Sequence, residues 1–159
     1  MRKKFSHYDR SGRVRMVDVT AKGPTLRQAR AHAFVKMKPG VVRQIRSLQL
    51  PKGDPLEVAR IAGIAAAKRT AELIPLCHPL LLTHIDVEVE LCKNGVRLIS
   101  SVRSTGPTGV EMEALTAVAV GGLTVYDMCK ALDRSLELRD IYLVEKTGGK
   151  SGPYRRRSS

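Results

Sequence analysis

The sequence has no tryptophan and only six aromatic residues among 159, four tyrosines and two phenylalanines. Because bases stack on aromatic side chains, this composition offers little material for binding single-stranded nucleic acid. Cysteine is also scarce: Cys77, Cys92 and Cys129 are odd in number and lack close CxxC spacing, which indicates neither a disulfide framework nor a cysteine-rich zinc site. These absences favour a protein of the reducing cytoplasm.

The sequence also lacks a long apolar run. The longest, at residues 114–126, is shorter than the roughly 20 residues that a membrane helix needs. The basic start, residues 1–4, precedes no apolar segment of the kind that signal peptides contain. We therefore expect neither a membrane protein nor an exported one. A hydrophobic content of 43% suffices for one core, so we expect a single domain over residues 1–159.

Acidic residues are few: 15 Asp and Glu stand against 28 Lys and Arg, which gives a formal net charge of +13. Six of the positive charges lie near the ends, in residues 2–4 and 155–157. We expect the basic ends, at about 1–10 and 150–159, to be disordered. The remaining basic charge can attract nucleic acid, but a basic cleft for a small polyanion explains it equally well.

The residue pattern predicts an α+β fold, with strands and helices mixed around one antiparallel sheet. Residues 84–91 alternate between apolar and polar side chains, and Asn94-Gly95 then predicts a positive-φ turn into a second strand at 96–102. Two further strands are expected at residues 13–19 and 141–144. Capping boxes that end at Gln28, Glu57 and Glu111 predict three helices, at residues 25–36, 54–73 and 108–132, and a further helix is expected at 41–48.

The segment 73–80, Leu-Ile-Pro-Leu-Cys-His-Pro-Leu, places a thiol beside an imidazole in a stiff apolar stretch. Pro75 and Pro79 fix φ and favour an extended conformation in the residue before them, so Cys77 and His78 are presented from a nearly rigid backbone. Each residue alone is more simply a core thiol or a turn histidine. Further polar clusters at residues 109–116 and 126–130 favour a functional site.

Glu113 and Asp127 belong to the same predicted helix. Their spacing of 14 residues places them within about 40° on one face but about 21 Å apart along the axis. Either Gly121-Gly122 breaks the helix, or two subunits build the site, or the residues serve different parts of an extended ligand. We favour two subunits, because Gly121 and Gly122 would allow close helix packing across an interface. Asp127 and Lys130 share a face and can pass protons, although an exposed ion pair explains them too.

Residues 145–152 end like a phosphate-binding loop, but Val144 occupies a position where the Walker pattern needs glycine, and no helix is expected after Lys150. A mobile basic flap over an anionic ligand or an ordinary glycine-rich tail fits this segment. In a flap, Lys146 and Lys150 would neutralise phosphate, and the arginines at 155–157 would be dispensable. Adjacent Cys77 and His78, with the isolated His84, Cys92 and His32, do not match a metal-ligand spacing, so we expect no metal ion.

Several blocks of the sequence resemble one known family, in order and at consistent spacing. They are Met16-Val17-Asp18-Val19, Lys52-Gly53-Asp54, residues 60–64, 67–70, 73–80, 108–116, 126–131 and 146–152. Over nearly the whole chain, the sequence resembles the cyclic pyranopterin monophosphate synthase family of molybdenum cofactor biosynthesis. Gly121 and Gly122 depart from the resemblance, because small alanine-like residues are expected there.

The resemblance implies a lyase acting on 3′,8-cyclo-7,8-dihydroguanosine 5′-triphosphate, which a radical enzyme makes from GTP. The product is cyclic pyranopterin monophosphate, and diphosphate is released. The resemblance also implies a ferredoxin-like fold and a homohexamer, built as a trimer of dimers with active sites at subunit interfaces. We expect no cofactor and neither nucleic acid nor membrane as a partner.

Carried onto matching positions, the resemblance makes Asp127 the principal catalytic residue, with Lys130 and Lys52 as its partners in proton transfer and phosphate neutralisation. Rearranging a guanine-derived ring moves protons, and diphosphate departure needs nearby cations. The residues expected to bind substrate are Leu76, Cys77, His78, Met112, Glu113, Lys68, Lys146 and Lys150.

Two hypotheses from other classes remain at this point. An RNA- or ribosome-associated protein would use the basic surface, bind RNA with a steep salt dependence and show no turnover. A nucleotide-binding regulator would have the fold without the chemistry. The joint presence of Asp127, Lys130 and Lys52 favours an enzyme over the regulator.

Overall fold

The computed structural model describes residues 7–9, 11–47 and 53–157. Its elements in chain order are β1 (Thr25–Lys36), α1 (Pro39–Arg46), α2 (Pro55–Lys68), α3 (Thr70–Leu73), β2 (Leu82–Cys92), β3 (Gly95–Gly106), α4 (Glu111–Cys129), β4 (Glu137–Thr147) and β5 (Tyr154–Arg155). These strands form one antiparallel sheet in the order β2-β3-β1-β4-β5. Strands β1 to β4 with the long helices α2 and α4 follow the β-α-β-β-α-β order of ferredoxin-like folds, which confirms the predicted fold.

The core lies between one face of the sheet and the packed pair of helices α2 and α4. Along β3, Leu98 and Val102 are fully buried in this layer. Ser100 lies between them on the same face, and its hydroxyl donates a 2.7 Å hydrogen bond to the carbonyl oxygen of Ala114. A buried hydroxyl needs such a partner, and this one ties the first turns of α4, including Glu113, to the centre of the sheet.

The helix predicted at residues 25–36 is wrong, because this segment forms strand β1. Ala29, Ala31, Ala33 and Val35 are buried while the residues between them are more accessible, which is the period of two of a strand. Alanine favours helices locally, but β1 pairs with β3 on one side and β4 on the other. The strand predicted at residues 13–19 is also wrong: within that stretch the structure has only an isolated bridge, between Tyr8 and Val14.

The predicted hairpin is confirmed as β2 and β3, but the reason given for its glycine is wrong. The turn consists of Lys93 and Asn94, since Cys92 pairs with Gly95. Among described residues other than glycine only Asp140 has a positive φ, and Gly95 does not have one either. A Cβ at Gly95 would instead overlap the carbonyl oxygen of Val35 on β1. Glycine is needed here for the close approach of two strands.

The predicted start of α2 is confirmed, because the Asp54 carboxylate accepts a 2.9 Å hydrogen bond from the amide of Leu56. The helix ends at Lys68, with α3 completing the segment that was predicted as one helix. Glu57 does not complete a capping box: its carboxylate accepts hydrogen bonds from Arg60. Helix α1 is confirmed, with proline as its first residue.

Helix α4 continues without interruption through Gly121 and Gly122, which removes the broken-helix alternative. A Cβ at Gly122 would overlap the Leu138 side chain, and one at Gly121 would lie 2.7 Å from Leu98 Cδ2. Both glycines thus pack within the subunit, and the prediction that they open a subunit interface is wrong. The helix begins at Glu111 without a side-chain cap, so the capping box predicted there does not form.

The last predicted strand, at residues 141–144, is confirmed as the centre of β4. Tyr154 and Arg155 then form β5 and pair with β4, so the expected disorder does not hold for these two residues. Lys146 belongs to β4, and a flap of the kind predicted from the sequence would begin only after this strand.

Candidate active site

Two neighbouring cavities lie at the start of α4. The first, of about 850 Å³, brings together the proline-rich segment that follows α3 and the first turn of α4. We call it the Cys-His cavity. The structure therefore unites five residues that the sequence predicts to bind substrate. They are Leu76, Cys77, His78, Met112 and Glu113.

Glu113 is a buried carboxyl group in the wall of the Cys-His cavity, with only 4% of the residue exposed. Burial raises the pKa of this carboxyl above its ordinary value of 4.5, and the neighbouring Glu111 raises it further. Burial also raises the pKa of the Cys77 thiol, with a contribution from Glu113. The cavity thus favours neutral groups that donate hydrogen bonds, and it disfavours a reactive thiolate.

The imidazole of His78 is fixed by the segment that precedes β1. Its Nε2 lies 2.7 Å from the carbonyl oxygen of Val17. Because a carbonyl oxygen only accepts, Nε2 carries the proton, and Nδ1 is the acceptor of a neutral ring. Val17 and Val19 also line the cavity, so this segment both orients the histidine and supplies an apolar wall.

The second cavity, of about 920 Å³, is lined by four cationic side chains, and we call it the basic cavity. They are Lys22, Arg27, Lys146 and Lys150. The ammonium group of Lys146 lies 3.1 Å from a carboxylate oxygen of Glu111 and donates a 2.7 Å hydrogen bond to the Ser151 hydroxyl. One acidic side chain among four cations leaves this cavity suited to a polyanion.

Arg27 organises the wall of the basic cavity. Its guanidinium group donates to the carbonyl oxygens of Gly106, at 3.4 Å, and Pro107, at 3.3 Å. The arginine at the start of β1 thereby holds the turn between β3 and α4. The pairing of β1 with β3 thus determines the position of this wall and of the positive charge that Arg27 contributes to it.

The two cavities share one wall, formed by Lys22, Thr108, Gly109 and Glu111. The two cavities therefore lie side by side, as two different halves of one cleft. The Cys-His cavity offers apolar surface with a buried carboxyl, a thiol and an imidazole, whereas the basic cavity offers positive charge. Such a cleft can hold an extended ligand with a heterocycle at one end and phosphates at the other.

Asp127 and Lys130 lie at the opposite end of α4, about 21 Å from Glu113 along the helix axis. They form an exposed ion pair of 2.7 Å, with 59% and 52% of the respective side chains accessible. This pairing raises the pKa of Lys130. Lys68 is exposed at the end of α2 and lines neither cavity. Lys52 lies outside the described residues. One chain thus does not bring Asp127 and Lys130 to the cleft.

Comparison with known proteins shows the family of this chain. The model of the MoaC family matches residues 16–149. The chain belongs to the MoaC family. It is 54% identical over 152 residues to a Roseiflexus protein named cyclic pyranopterin monophosphate synthase, covering 94% of this chain and 96% of the relative. A Heliobacterium modesticaldum protein of that name is 56% identical with the same coverage. Cyclic pyranopterin monophosphate synthase 1 of Mycobacterium tuberculosis is 54% identical, covering 98% of this chain and 92% of the relative.

This MoaC-family chain contains cleft residues that sequence reasoning missed. The sequence does not indicate Lys22 and Arg27, because a helix predicted at residues 25–36 gives no reason to place them beside the start of α4. Glu111 was interpreted as a capping residue but pairs with Lys146. His7 also lines the Cys-His cavity, and its buried Nδ1 has no hydrogen-bond partner in the part of the chain that the structure describes.

Over the described ranges, no group of three or more His, Cys, Asp or Glu side chains could hold a metal ion. Within the same ranges, no helix has both the length and the apolar character needed to cross a membrane.

Proposed function

We propose that this chain converts 3′,8-cyclo-7,8-dihydroguanosine 5′-triphosphate to cyclic pyranopterin monophosphate and releases diphosphate, as a lyase in molybdenum cofactor biosynthesis. The observation that carries the proposal is the two-part cleft, in which a cavity with a buried carboxyl opens beside a cavity with four cations. The names of the relatives support the same reaction.

The Cys-His cavity takes the guanine-derived ring in this proposal. A neutral Glu113 donates or accepts hydrogen bonds at ring nitrogen and oxygen atoms, as does the imidazole of His78. Cys77 contributes a neutral thiol, and Leu76 and Met112 contribute apolar surface. Each of these residues binds and orients the ring and excludes water from it.

The basic cavity takes the triphosphate. Lys146 and Lys150 neutralise phosphate charge together with Lys22 and Arg27, which belong to the loop before β1 and to β1 itself. Cations close to the departing diphosphate stabilise the charge that develops on its oxygens. This placement also gives the basic body of the chain a physical purpose.

A second subunit supplies Asp127 and Lys130, because α4 holds them too far from Glu113 for one small substrate to reach both in one chain. Leu81, which is 84% exposed, directly follows the segment 73–80 that contains Cys77 and His78. Met112 at the Cys-His cavity is partly exposed as well. Exposed apolar side chains often mark a protein–protein interface, so their presence at the site favours contact with another subunit there. Lys52 and Lys68 complete the set of cations, and the assembly is a homohexamer built as a trimer of dimers.

The substrate comes from a radical GTP cyclase, which acts immediately upstream in the cytoplasm. Purified protein is incubated with the cyclised nucleotide, and diphosphate release is followed together with a pterin that becomes fluorescent on oxidation. Formation of both products supports the proposal. RNA binding with a steep salt dependence, together with no turnover, would transfer the assignment to an RNA-associated protein.

A further inference from the structure

The chain beyond β4 folds back along that strand as a hairpin. Arg155 pairs with Glu145, and Tyr154 pairs with Lys146. The next amide, of Arg156, donates a 2.8 Å hydrogen bond to the carbonyl oxygen of Val144. The connection between the two strands, residues 148–153, is therefore held at both of its ends.

Side chains reinforce the returning strand on the face of the sheet that the helices leave uncovered. The guanidinium group of Arg156 lies 4.3 Å from the ring centroid of Tyr142. Tyr142 in turn stacks on His32 of β1, with centroids 4.8 Å apart and planes inclined by 13°. His32 Nδ1 donates a 2.9 Å hydrogen bond to the carbonyl oxygen of Asp140. An arginine stacked on a tyrosine gains cation–π attraction, and the stack joins the chain end to β4 and β1.

The hairpin loop reaches the basic cavity. Gly149, Lys150 and Ser151 line that cavity, and the Ser151 hydroxyl accepts the hydrogen bond from Lys146. Gly148 and Gly149 both have positive φ, and a Cβ at Gly149 would overlap the Arg27 guanidinium group. The loop thus lies directly against the cavity wall, and the positive φ at both positions favours glycine there.

We propose that β5 and the Arg156–Tyr142 stack form an anchor that positions Lys150 at the basic cavity. The inference rests on the proposed function, since it assigns phosphate binding to that cavity. Arg156 and Tyr142 act as positioning residues and do not touch the substrate. An anchored loop loses less freedom when its lysine binds phosphate, and affinity rises accordingly. Arg156 is then needed, contrary to the expectation that the arginines at the chain end are dispensable.

Inorganic tripolyphosphate is the probe, and calorimetry gives its Kd for the full-length protein. Arg156→Ala should weaken binding by about three- to tenfold through lost positioning. Arg157→Ala is the matched control, because it removes the same charge one residue later. It should change binding by less than about twofold at about 0.15 M salt, where charges far from the ligand are screened. Tyr142→Ala should behave like Arg156→Ala, whereas Tyr142→Phe, which keeps the ring, should retain binding.

A double-mutant comparison with Lys150→Ala distinguishes a positioning role of Arg156 from a merely structural one. If the anchor acts through Lys150, then Arg156→Ala should have little further effect in a Lys150→Ala background. With the nucleotide substrate, Arg156→Ala should raise KM and leave kcat within about twofold. Equal effects of Arg156→Ala in both backgrounds, or a fall in kcat alone, would overturn the anchor.

The outcomes also show whether the anchor alone or the proposed phosphate site is refuted. If Lys146→Ala and Lys150→Ala weaken tripolyphosphate binding while Arg156→Ala matches Arg157→Ala, the anchor is refuted and the function stands. If tripolyphosphate does not bind the unaltered protein, the phosphate site itself is refuted and the anchor with it.

Discussion

The ammonium group of Lys146, near the end of β4, lies 3.1 Å from a carboxylate oxygen of Glu111, in the first turn of α4. This ion pair joins the last long strand to the helix that carries Glu113. Because Glu111 lines both cavities, it also lies between the proposed positions of the ring and the phosphates. Glu111 therefore restrains Lys146 and repels the anion that Lys146 is proposed to bind.

Removing the charge of Glu111 should tighten phosphate binding. In Glu111→Gln the amide no longer repels phosphate, and Lys146 is released for the ligand. We expect the Kd for tripolyphosphate to fall by about two- to fivefold, as for the loss of one nearby like charge at a partly screened site. Glu57→Gln on the outer side of α2 makes the same charge change far from the cleft and serves as the control. Unchanged or weaker binding in Glu111→Gln would show that the glutamate organises the lysine instead.

Asp127→Asn and Lys130→Ala should each abolish turnover and leave the fold intact. Their ion pair is exposed, and exposed pairs contribute little to stability, so a large loss of activity must arise from chemistry. Glu57 and Arg60 form a matched exposed pair of the same spacing, 2.9 Å long, on α2. Glu57→Gln and Arg60→Ala should cost similar stability and keep activity. Near-normal kcat in Asp127→Asn would remove the catalytic assignment.

Two inactive variants should complement each other if sites are shared between subunits. Glu113→Ala and Asp127→Asn, co-expressed with different tags and purified as mixed oligomers, should regain part of the activity, because some sites then contain neither lesion. Oligomers built only from the double variant, which carries both substitutions in every subunit, are the control. A monomer by light scattering, or verified mixed oligomers without activity, would contradict the shared site.

The sequence predicted those strands whose two faces differ in polarity. Strand β2 alternates Val87 and Val89 with Glu88 and Glu90, so one face must be buried and the other exposed. Strand β1 carries alanines on its buried face, and alanine is equally compatible with a helix. Only the long-range pairing of β1 with β3 and β4 decides its conformation, and no local pattern contains that information.

The same limit applies to the cleft. Cys77, His78 and Glu113 were predicted because their chemistry stands out locally, and the structure brings them into one cavity. Arg27 contacts Gly106, which is 79 positions away in the chain, and this contact depends on strand register. The anchor at the chain end was missed for a related reason: a run of arginines is typical of a solvated tail, and its stacking partner Tyr142 belongs to another strand.

Tight packing of α2 on α4 gives a stability prediction. A Cβ at Gly63 would lie 2.8 Å from the backbone oxygen of Ala117, and neither helix can yield without moving its neighbours. Gly63→Ala should therefore lower the free energy of unfolding by about 1–3 kcal/mol, measured by urea denaturation. Gly40→Ala is the control, since its nearest atom is 3.8 Å away, at the end of the Arg43 side chain. It should raise stability by up to about 0.5 kcal/mol through helix propensity.

The buried carboxyl of Glu113 should make the protein less stable as pH rises. Burial raises its pKa above the ordinary value of 4.5, so in the window from about pH 4.5 up to the raised pKa the unfolded chain has lost the proton that the folded chain still holds. Stability falls with pH wherever the folded state binds more protons. Glu113→Gln removes this titration, so the stability of the variant relative to the unaltered protein should increase across the window, while turnover is lost.

Glu57→Gln is a control for which the pH dependence of stability should have the opposite sign. Hydrogen bonds from Arg60 lower the pKa of Glu57, so its contribution to stability is present above pH 4.5 and disappears as the pH falls through the lowered pKa. The Glu57→Gln variant should therefore be slightly less stable than the unaltered protein at neutral pH, and the difference should vanish in acid. Urea denaturation at several pH values between 3 and 8 compares the three proteins. A Glu113→Gln curve parallel to that of the unaltered protein would mean that Glu113 is ionised in the folded state, and a neutral carboxyl could then not serve as the hydrogen-bond donor to the ring.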